Sequence, residues 1–103
     1  MIVRNLKPYT FYTYEIVTDE EGCQTEGYSD NAQTIDAYIY PASGRVQSEM
    51  YGERLAYMLN MMVNLPASVK ERDGVCVDSD KVNYRVVAVA VYSEHAQITL
   101  ERV

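Results

Sequence analysis

The side chains that could carry acid–base, nucleophilic or metal chemistry are few and scattered along this 103-residue sequence. His95 is the only histidine and stands beside Glu94, so it is the one candidate general base with an acid next to it. No serine or cysteine pattern marks a nucleophile that it could activate. We therefore interpret His95 as a solvated turn residue and expect the protein not to be an enzyme.

The two cysteines, Cys23 and Cys76, are far apart and neither belongs to a CxxC pair, so their spacing predicts no zinc site. The sequence shows no signal peptide and no apolar run long enough to span a membrane. We therefore expect synthesis in the cytoplasm and two free thiols. Cys76 lies between two valines, which favours the role of a small buried hydrophobe.

Two acidic runs, at 19–21 and 78–80, could in principle gather a hard cation. Neither has the length, the glycine position or the terminal glutamate of an EF-hand loop, so we interpret both as solvated loops. The five glycines are dispersed and form no phosphate-binding loop. The sequence therefore predicts no metal and no cofactor.

Charge and composition narrow the class of partner. The net charge is -6 and the sequence pI is about 4.6, which argues against dedicated nucleic-acid binding because phosphate contacts need clustered Lys and Arg. A hydrophobic content of 48% predicts a globular domain, and 103 residues suffice for one. Ten tyrosines against one phenylalanine and no tryptophan suit strands and surfaces that a docking partner covers.

Most of the sequence consists of short alternating segments separated by turn residues, which is typical of an all-β barrel or sandwich. We expect an N-terminal arm at 1–9 and a long polar loop at 18–32. Segment 84–92 is apolar on both faces, which predicts a strand buried on both sides and paired with the last segment in a hairpin. The predicted strands are 10–17, 33–41, 75–77, 84–92 and 96–103.

The longest apolar stretch, at 51–65, fits two periodicities. As a strand it places Leu59, Met61 and Val63 on one face, whereas as a helix it aligns Leu55, Met58, Leu59 and Met62. Its neighbours are strands, so we favour a strand at 54–64, with a helix on an open end of the sheet as the alternative. The preceding segment, 42–52, fits either a short helix that Ser43 caps and Gly52 ends, or an irregular loop.

The sequence thus predicts a mainly β fold, a small barrel or sandwich of about six strands with at most one short helix, forming one domain over 1–103. The predicted core consists of Tyr12, Tyr14, Ile16, Ile35, Ile39, Leu55, Leu59, Val75, Val77, Val86, Val87, Val89, Ile98 and Leu100.

A family resemblance appears in the order of these segments. The tyrosine-rich first strand is followed by a strand ending in IYP, then SGRVQSEMYGER, YMLNMMV, KERDGVCV and VNYRVVAVAVYSEHAQITLERV. From residue 9 to 103, this order resembles the small head–tail connector proteins of tailed bacteriophages and prophages, especially the head-closure or stopper type. The resemblance rests on length and element order.

The resemblance implies a β-barrel that assembles as a ring of its own copies in the virion neck, between the portal or adaptor and the tail. Such a ring retains packaged DNA, which passes through without specific binding. The subunit is made in the host cytoplasm and contacts no membrane. The alternatives are a minor capsid or tail-completion protein, and a β-barrel protein–protein interaction module unrelated to phages.

The resemblance also assigns candidate contact residues. Segment 42–52 corresponds to the channel-closing loop of stopper proteins, although it is short and has one basic residue. Loop 18–32 is placed to meet neighbouring subunits. We expect both segments to be mobile in the free subunit and protected after assembly. The candidate channel residues are Ser43, Arg45, Gln47, Glu49 and Tyr51, and the candidate subunit contacts are Asp19, Glu20, Glu21 and Tyr28.

Overall fold

The computed structural model describes residues 4–103, so the predicted arm at 1–9 lies partly outside the described residues. The elements follow one another along the chain as β1 Lys7–Tyr12, β2 Tyr14–Thr18, β3 Gln24–Tyr28, β4 Gln33–Pro41, α1 Arg45–Tyr51, a 3₁₀ helix Gly52–Tyr57, β5 Met58–Asn64, β6 Gly74–Cys76, β7 Tyr84–Val91 and β8 His95–Arg102.

Six strands close into an antiparallel barrel in the order β1-β4-β5-β8-β7-β6, and β2 and β3 form a separate two-stranded sheet. The predicted mainly β fold, a small barrel with at most one short helix, is confirmed. Closure pairs β1 with both β4 and β6, so the first strand completes the cylinder. We call the β2–β3 sheet, residues 14–28, the ribbon.

The barrel interior holds the apolar residues that the pairing turns inward. Of the predicted core, Val75, Val86, Ile98 and Leu100 are fully buried. Five more of the predicted residues, namely Ile35, Ile39, Leu59, Val77 and Val89, pack against this cluster while partly buried. Its other buried members are Phe11, Ala37, Met61, Val63, Val69 and Ala96.

The first predicted strand, 10–17, is wrong in its limits and its inward face. Strand β1 begins at Lys7, inside the expected arm, and the chain leaves the barrel at Thr13, whose carbonyl accepts a hydrogen bond from Ser29 N–H. Phe11 faces the interior, whereas Ile16 is 52% exposed. Alternation predicts two faces but not which one is buried. Pairing of Phe11 with Val75 decides it here.

The expected loop at 18–32 is instead largely a strand and a tight turn. Strand β3 pairs with β2 along its whole length, from Tyr14 opposite Tyr28 to Thr18 opposite Gln24. The Asp19 carboxylate closes the turn, because its Oδ1 accepts hydrogen bonds from the N–H groups of Glu21 (2.9 Å) and Cys23 (2.8 Å).

The central apolar stretch changes structure at Tyr57. The 3₁₀ helix ends there and β5 pairs with β4 and β8, so the strand prediction is confirmed for 58–64 and wrong for 54–57. Met61 and Val63 are fully buried in the barrel. Leu55 lies in the 3₁₀ helix, outside the core cluster where we had expected it.

The short-helix alternative is confirmed for 45–51, and Gly52 ends α1 with a positive φ of 56°. Ser43 is not its cap, because Gly44 occupies the N-cap position and no side chain caps the helix. Arg54 ties the 3₁₀ helix that follows to β8, because its Nε and Nη2 donate hydrogen bonds of 2.6 and 2.7 Å to the Glu101 carboxylate. Hydrogen bonding to Arg54 lowers the pKa of Glu101, and Arg85 adds to this effect.

Strand β7 is not buried on both sides, which corrects the expectation for 84–92. Val86 is its one fully buried residue, and Val91 is exposed near the hairpin end. The cause is the single layer of the barrel, in which only one strand face meets the core. The predicted hairpin with β8 is confirmed, with an irregularity between Val86 and Ala88.

Candidate interaction surfaces

The only histidine is not a solvated turn residue, which corrects the sequence interpretation. His95 begins β8. The Tyr92 N–H donates a hydrogen bond to the His95 carbonyl (2.8 Å), so only residues 93 and 94 form the turn. Its ring stacks on Tyr92 with the centroids 4.9 Å apart, and its Nδ1 is buried without a hydrogen-bond partner. His95 is therefore a half-buried residue at the start of a strand.

The other chemistry-bearing residues are dispersed in space as they are in sequence. Cys23 is exposed at the ribbon turn, Cys76 is buried in β6, and the two are unpaired thiols, as expected. Burial raises the pKa of the Cys76 thiol, which disfavours its reactive thiolate. Within residues 4–103, no group of three or more His, Cys, Asp or Glu side chains could hold a metal ion.

The base of the ribbon is tied to the barrel by one buried carboxylate. Asp73 is 1% exposed, and its Oδ1 accepts a hydrogen bond from Tyr14 N–H (3.0 Å). Its Oδ2 accepts a second from Lys70 N–H (2.9 Å). The Arg72 guanidinium lies over the Tyr14 ring, 5.6 Å from the centroid. The start of β2 is therefore attached to the turn before β6.

An open groove of about 590 Å³ separates the ribbon from the barrel. Glu26 and Tyr28 line its ribbon side, and Arg72, Arg85 and Val87 line its barrel side. Both charge signs face the groove, so it has no single polarity that would select a small charged ligand.

Gly74 lets the ribbon approach the barrel at close range. A Cβ at this buried position would lie 2.6 Å from Val82 Cγ1 and 2.9 Å from Tyr28 Cε1. We expect Gly74→Ala to cost about 1–3 kcal/mol of unfolding free energy through overpacking, and to displace the Tyr28 ring. Urea unfolding measures the first effect and the NMR shifts of the Tyr28 ring measure the second.

Gly27 supplies the matched control on the ribbon itself. A Cβ there meets nothing within 4 Å and its φ is not positive, so Gly27→Ala should leave stability unchanged or raise it by up to about 1 kcal/mol. Equal losses for the two alanine variants would contradict a close approach specific to Gly74.

The ribbon also contains the candidate subunit-contact residues. Asp19, Glu20 and Glu21 are exposed together at its turn, whereas Tyr28 lies at its base against Gly74. Sequence reasoning missed the apolar exposure between these ends. Ile16 is 52% exposed and Val17 is 54% exposed. Because adjacent strand residues point to opposite faces, both faces of the ribbon present an aliphatic side chain.

The candidate channel residues lie on or next to α1, and one pair attaches that helix to the barrel. The amides of Gln47 and Asn60 exchange hydrogen bonds of 2.8 and 3.0 Å, and Gln47 Oε1 also accepts one from Ser43 N–H (3.2 Å). Arg45 and Glu49 form an exposed ion pair one turn apart. The Arg54 guanidinium lies over the Tyr51 ring, 5.7 Å from its centroid.

Apart from this attachment, helix α1 is exposed to solvent. None of residues 45–51 is buried, and Val46 and Met50 are 69% and 66% exposed although they are neighbours at i, i+4. A seven-residue helix does not persist in water without tertiary contacts. The attachment of α1 therefore depends on the buried amide of Asn60.

Replacing Gln47 with alanine should release α1. The change leaves the buried Asn60 amide without its partner, which costs about 1–3 kcal/mol, and we expect amide exchange to accelerate across 45–51. Ser48→Ala is the control because Ser48 is exposed on the same helix. Unchanged exchange in the Gln47 variant would show that other contacts hold α1.

Tyrosines form a third surface on the outside of the barrel, which we call the tyrosine patch: Tyr38, Tyr40 and Tyr92. The first two stack on β4 with centroids 5.5 Å apart, and Tyr38 lies opposite Met62 of β5. Burial raises the pKa of Tyr40, and the phenols of Tyr38 and Tyr92 raise it further. Tyr38 and Tyr92 remain exposed.

No helix within residues 4–103 is long and apolar enough to cross a membrane. Compared with known protein families, characterised proteins and solved structures, the chain has no match.

Proposed function

We propose that this protein is a structural subunit of the neck of a tailed bacteriophage or prophage, joining the head to the tail and helping to close the DNA channel. The order of its elements resembles that of small head–tail connectors, and its small closed barrel is the fold expected of them. Its partners are copies of itself in a ring, the portal or adaptor above and tail proteins below. It would reside in the virion after synthesis in the bacterial cytoplasm.

One observation carries the proposal. Two elements outside the barrel, the ribbon and α1, expose aliphatic side chains to solvent. This exposure does not stabilise an isolated subunit. Ile16, Val17, Val46 and Met50 are each more than half exposed. Exposed apolar residues that cluster on surface elements mark protein–protein contacts. Subunits of a neck bury such residues against one another or against the adjoining portal, adaptor or tail proteins, and the tyrosine patch suits the same role.

The charge of segment 42–52 suits a channel that DNA crosses without binding to the wall. The only basic residue within 42–52 is Arg45, which pairs with Glu49. A segment with that composition offers packaged DNA no cluster of cations along which phosphates would bind. Helix α1, held by one amide pair, could line or obstruct a channel and shift without disrupting the barrel.

Deletion of the gene from a phage or lysogen that encodes it tests the proposal. We expect electron micrographs to show heads without tails that lose their DNA, and wild-type protein supplied in trans to restore tailed particles. Antibody labelling of restored particles should mark the neck. Normal tailed, infectious virions after deletion, or label at any other position, would contradict the neck role.

A further inference from the structure

We infer that the outer edge of β2 is a docking site for an extended, basic segment of another protein, which adds to the ribbon as a third strand. This docking edge follows from the ribbon's own charge and geometry and does not rest on the proposed neck role.

The first observation is where the charge lies. Residues 14–30 contain six of the 15 acidic residues and none of the nine basic ones, so the remaining nine acids balance the nine bases. The whole net charge of -6 therefore belongs to the ribbon and its flanks. The six acids are Glu15, Asp19, Glu20, Glu21, Glu26 and Asp30.

The second observation is the direction of the backbone groups. Ser29 N–H donates to the Thr13 carbonyl and Asp19 N–H donates to the Cys23 carbonyl, which fixes the alternation of hydrogen bonds along β2. The peptide groups of Ile16 and Thr18 therefore point away from β3. Within residues 4–103, no other strand pairs with this edge.

Two residues before Ile16, the same edge of β2 already binds the Asp73 carboxylate. Tyr14 N–H points in this direction and donates to Asp73 Oδ1 at 3.0 Å, so the acceptor that satisfies the first outward donor is a side chain and not a strand. Above it, Ile16 and Val17 expose an aliphatic group on each face. Two-stranded ribbons are marginal alone, and a third strand would place a neighbouring side chain beside Ile16 on one face and beside Val17 on the other.

Charge selects the occupant. Strand β6 pairs with β7 only at Tyr84 and Arg85, which leaves residues 87–91 of a second copy open on that side. This open stretch is entirely Val and Ala with no basic residue, and the chain outside residues 14–30 is neutral as a whole. Nucleic acid is repelled by the six carboxylates. A protein segment that alternates Lys or Arg with aliphatic residues matches both the acids and the apolar faces.

Peptide binding to the full chain tests this inference. The probe is an octapeptide alternating Lys and Val, compared with a Glu–Val peptide and with a Lys–Val peptide that proline interrupts at two positions. We expect the uninterrupted Lys–Val peptide to bind at least about tenfold more tightly than either, and more weakly as salt rises. NMR shifts should concentrate at 15–18.

Variants separate the edge from general attraction. Ile16→Pro removes an outward N–H and spares the bonds between β2 and β3, so binding should fall at least about fivefold. The double variant Glu15→Gln/Glu26→Gln should weaken binding similarly and keeps the assay decisive if the proline perturbs the ribbon. Glu53→Gln/Asp80→Asn changes the same charge elsewhere and should bind as wild type.

Three outcomes would overturn the inference. Equal binding of the proline-interrupted peptide would show attraction by charge alone. Shifts confined to the barrel would place the site elsewhere. Concentration-dependent self-association that perturbs 15–18 would make a second copy the occupant.

Discussion

Replacing Asp73 with alanine should destabilise the protein by about 3 kcal/mol or more, a large fraction of the roughly 5–15 kcal/mol typical of a domain. The carboxylate is 1% exposed and accepts hydrogen bonds from the N–H groups of Tyr14 and Lys70. Its loss leaves both donors without their partner and releases the ribbon base. Urea unfolding gives the free energy, and amide exchange at Tyr14 reports the release.

Asp80→Ala is the control for Asp73, because Asp80 is an exposed aspartate in the next turn. It should change the unfolding free energy by less than about 0.5 kcal/mol. If the two variants unfolded at the same urea concentration, Asp73 would not tie the ribbon to the barrel.

The second large effect distinguishes two adjacent methionines. Met61 is 0% exposed inside the barrel, whereas Met62 is half-buried on the outer face opposite Tyr38. Met61→Ala should therefore cost about 2–5 kcal/mol and Met62→Ala less than about 1.5 kcal/mol in urea unfolding. Equal costs, or a larger cost at Met62, would contradict the register of β5.

The barrel was predictable from sequence because most of its strands alternate and are bounded by turn residues. Strand β4 occupies 33–41 as expected, and its inward residues Ile35, Ala37 and Ile39 form part of the core region. The face of the first strand was not predictable, since its tyrosines looked as apolar as Phe11. Pairing between Phe11 of β1 and Val75 of the neighbouring strand β6, which are distant in sequence, decides between the two faces.

The ribbon was missed for a different reason. Strand β3 reads QTEGY, without β-branched aliphatic or alternating apolar residues, and its propensity is that of a loop. It forms because Asp19 closes the turn and β2 supplies the partner. Only the acidic character of the segment was visible in the sequence, since no basic residue lies between Lys7 and Arg45.

The sequence predicted that the candidate contact residues lie on the surface, but not which hydrogen bonds attach their segments to the barrel. Segment 42–52 was expected to be a helix or a loop on the surface, and α1 lies there. Its attachment through Gln47 and Asn60 joins a polar residue to an apolar strand, which local pattern does not reveal. The tie from Asp73 to Tyr14 spans 59 positions and is equally inaccessible to periodicity.

Hydrogen exchange on the free subunit and on purified necks tests the central claim most directly, namely that the ribbon and α1 are assembly contacts. The barrel strands should exchange alike in both states, because their hydrogen bonds are already made in the free subunit. Residues 15–28 and 45–51 should exchange faster than the barrel strands in the free subunit and gain protection in the neck. Equal protection of both segments in the two states, or protection gained only by the barrel, would contradict the account.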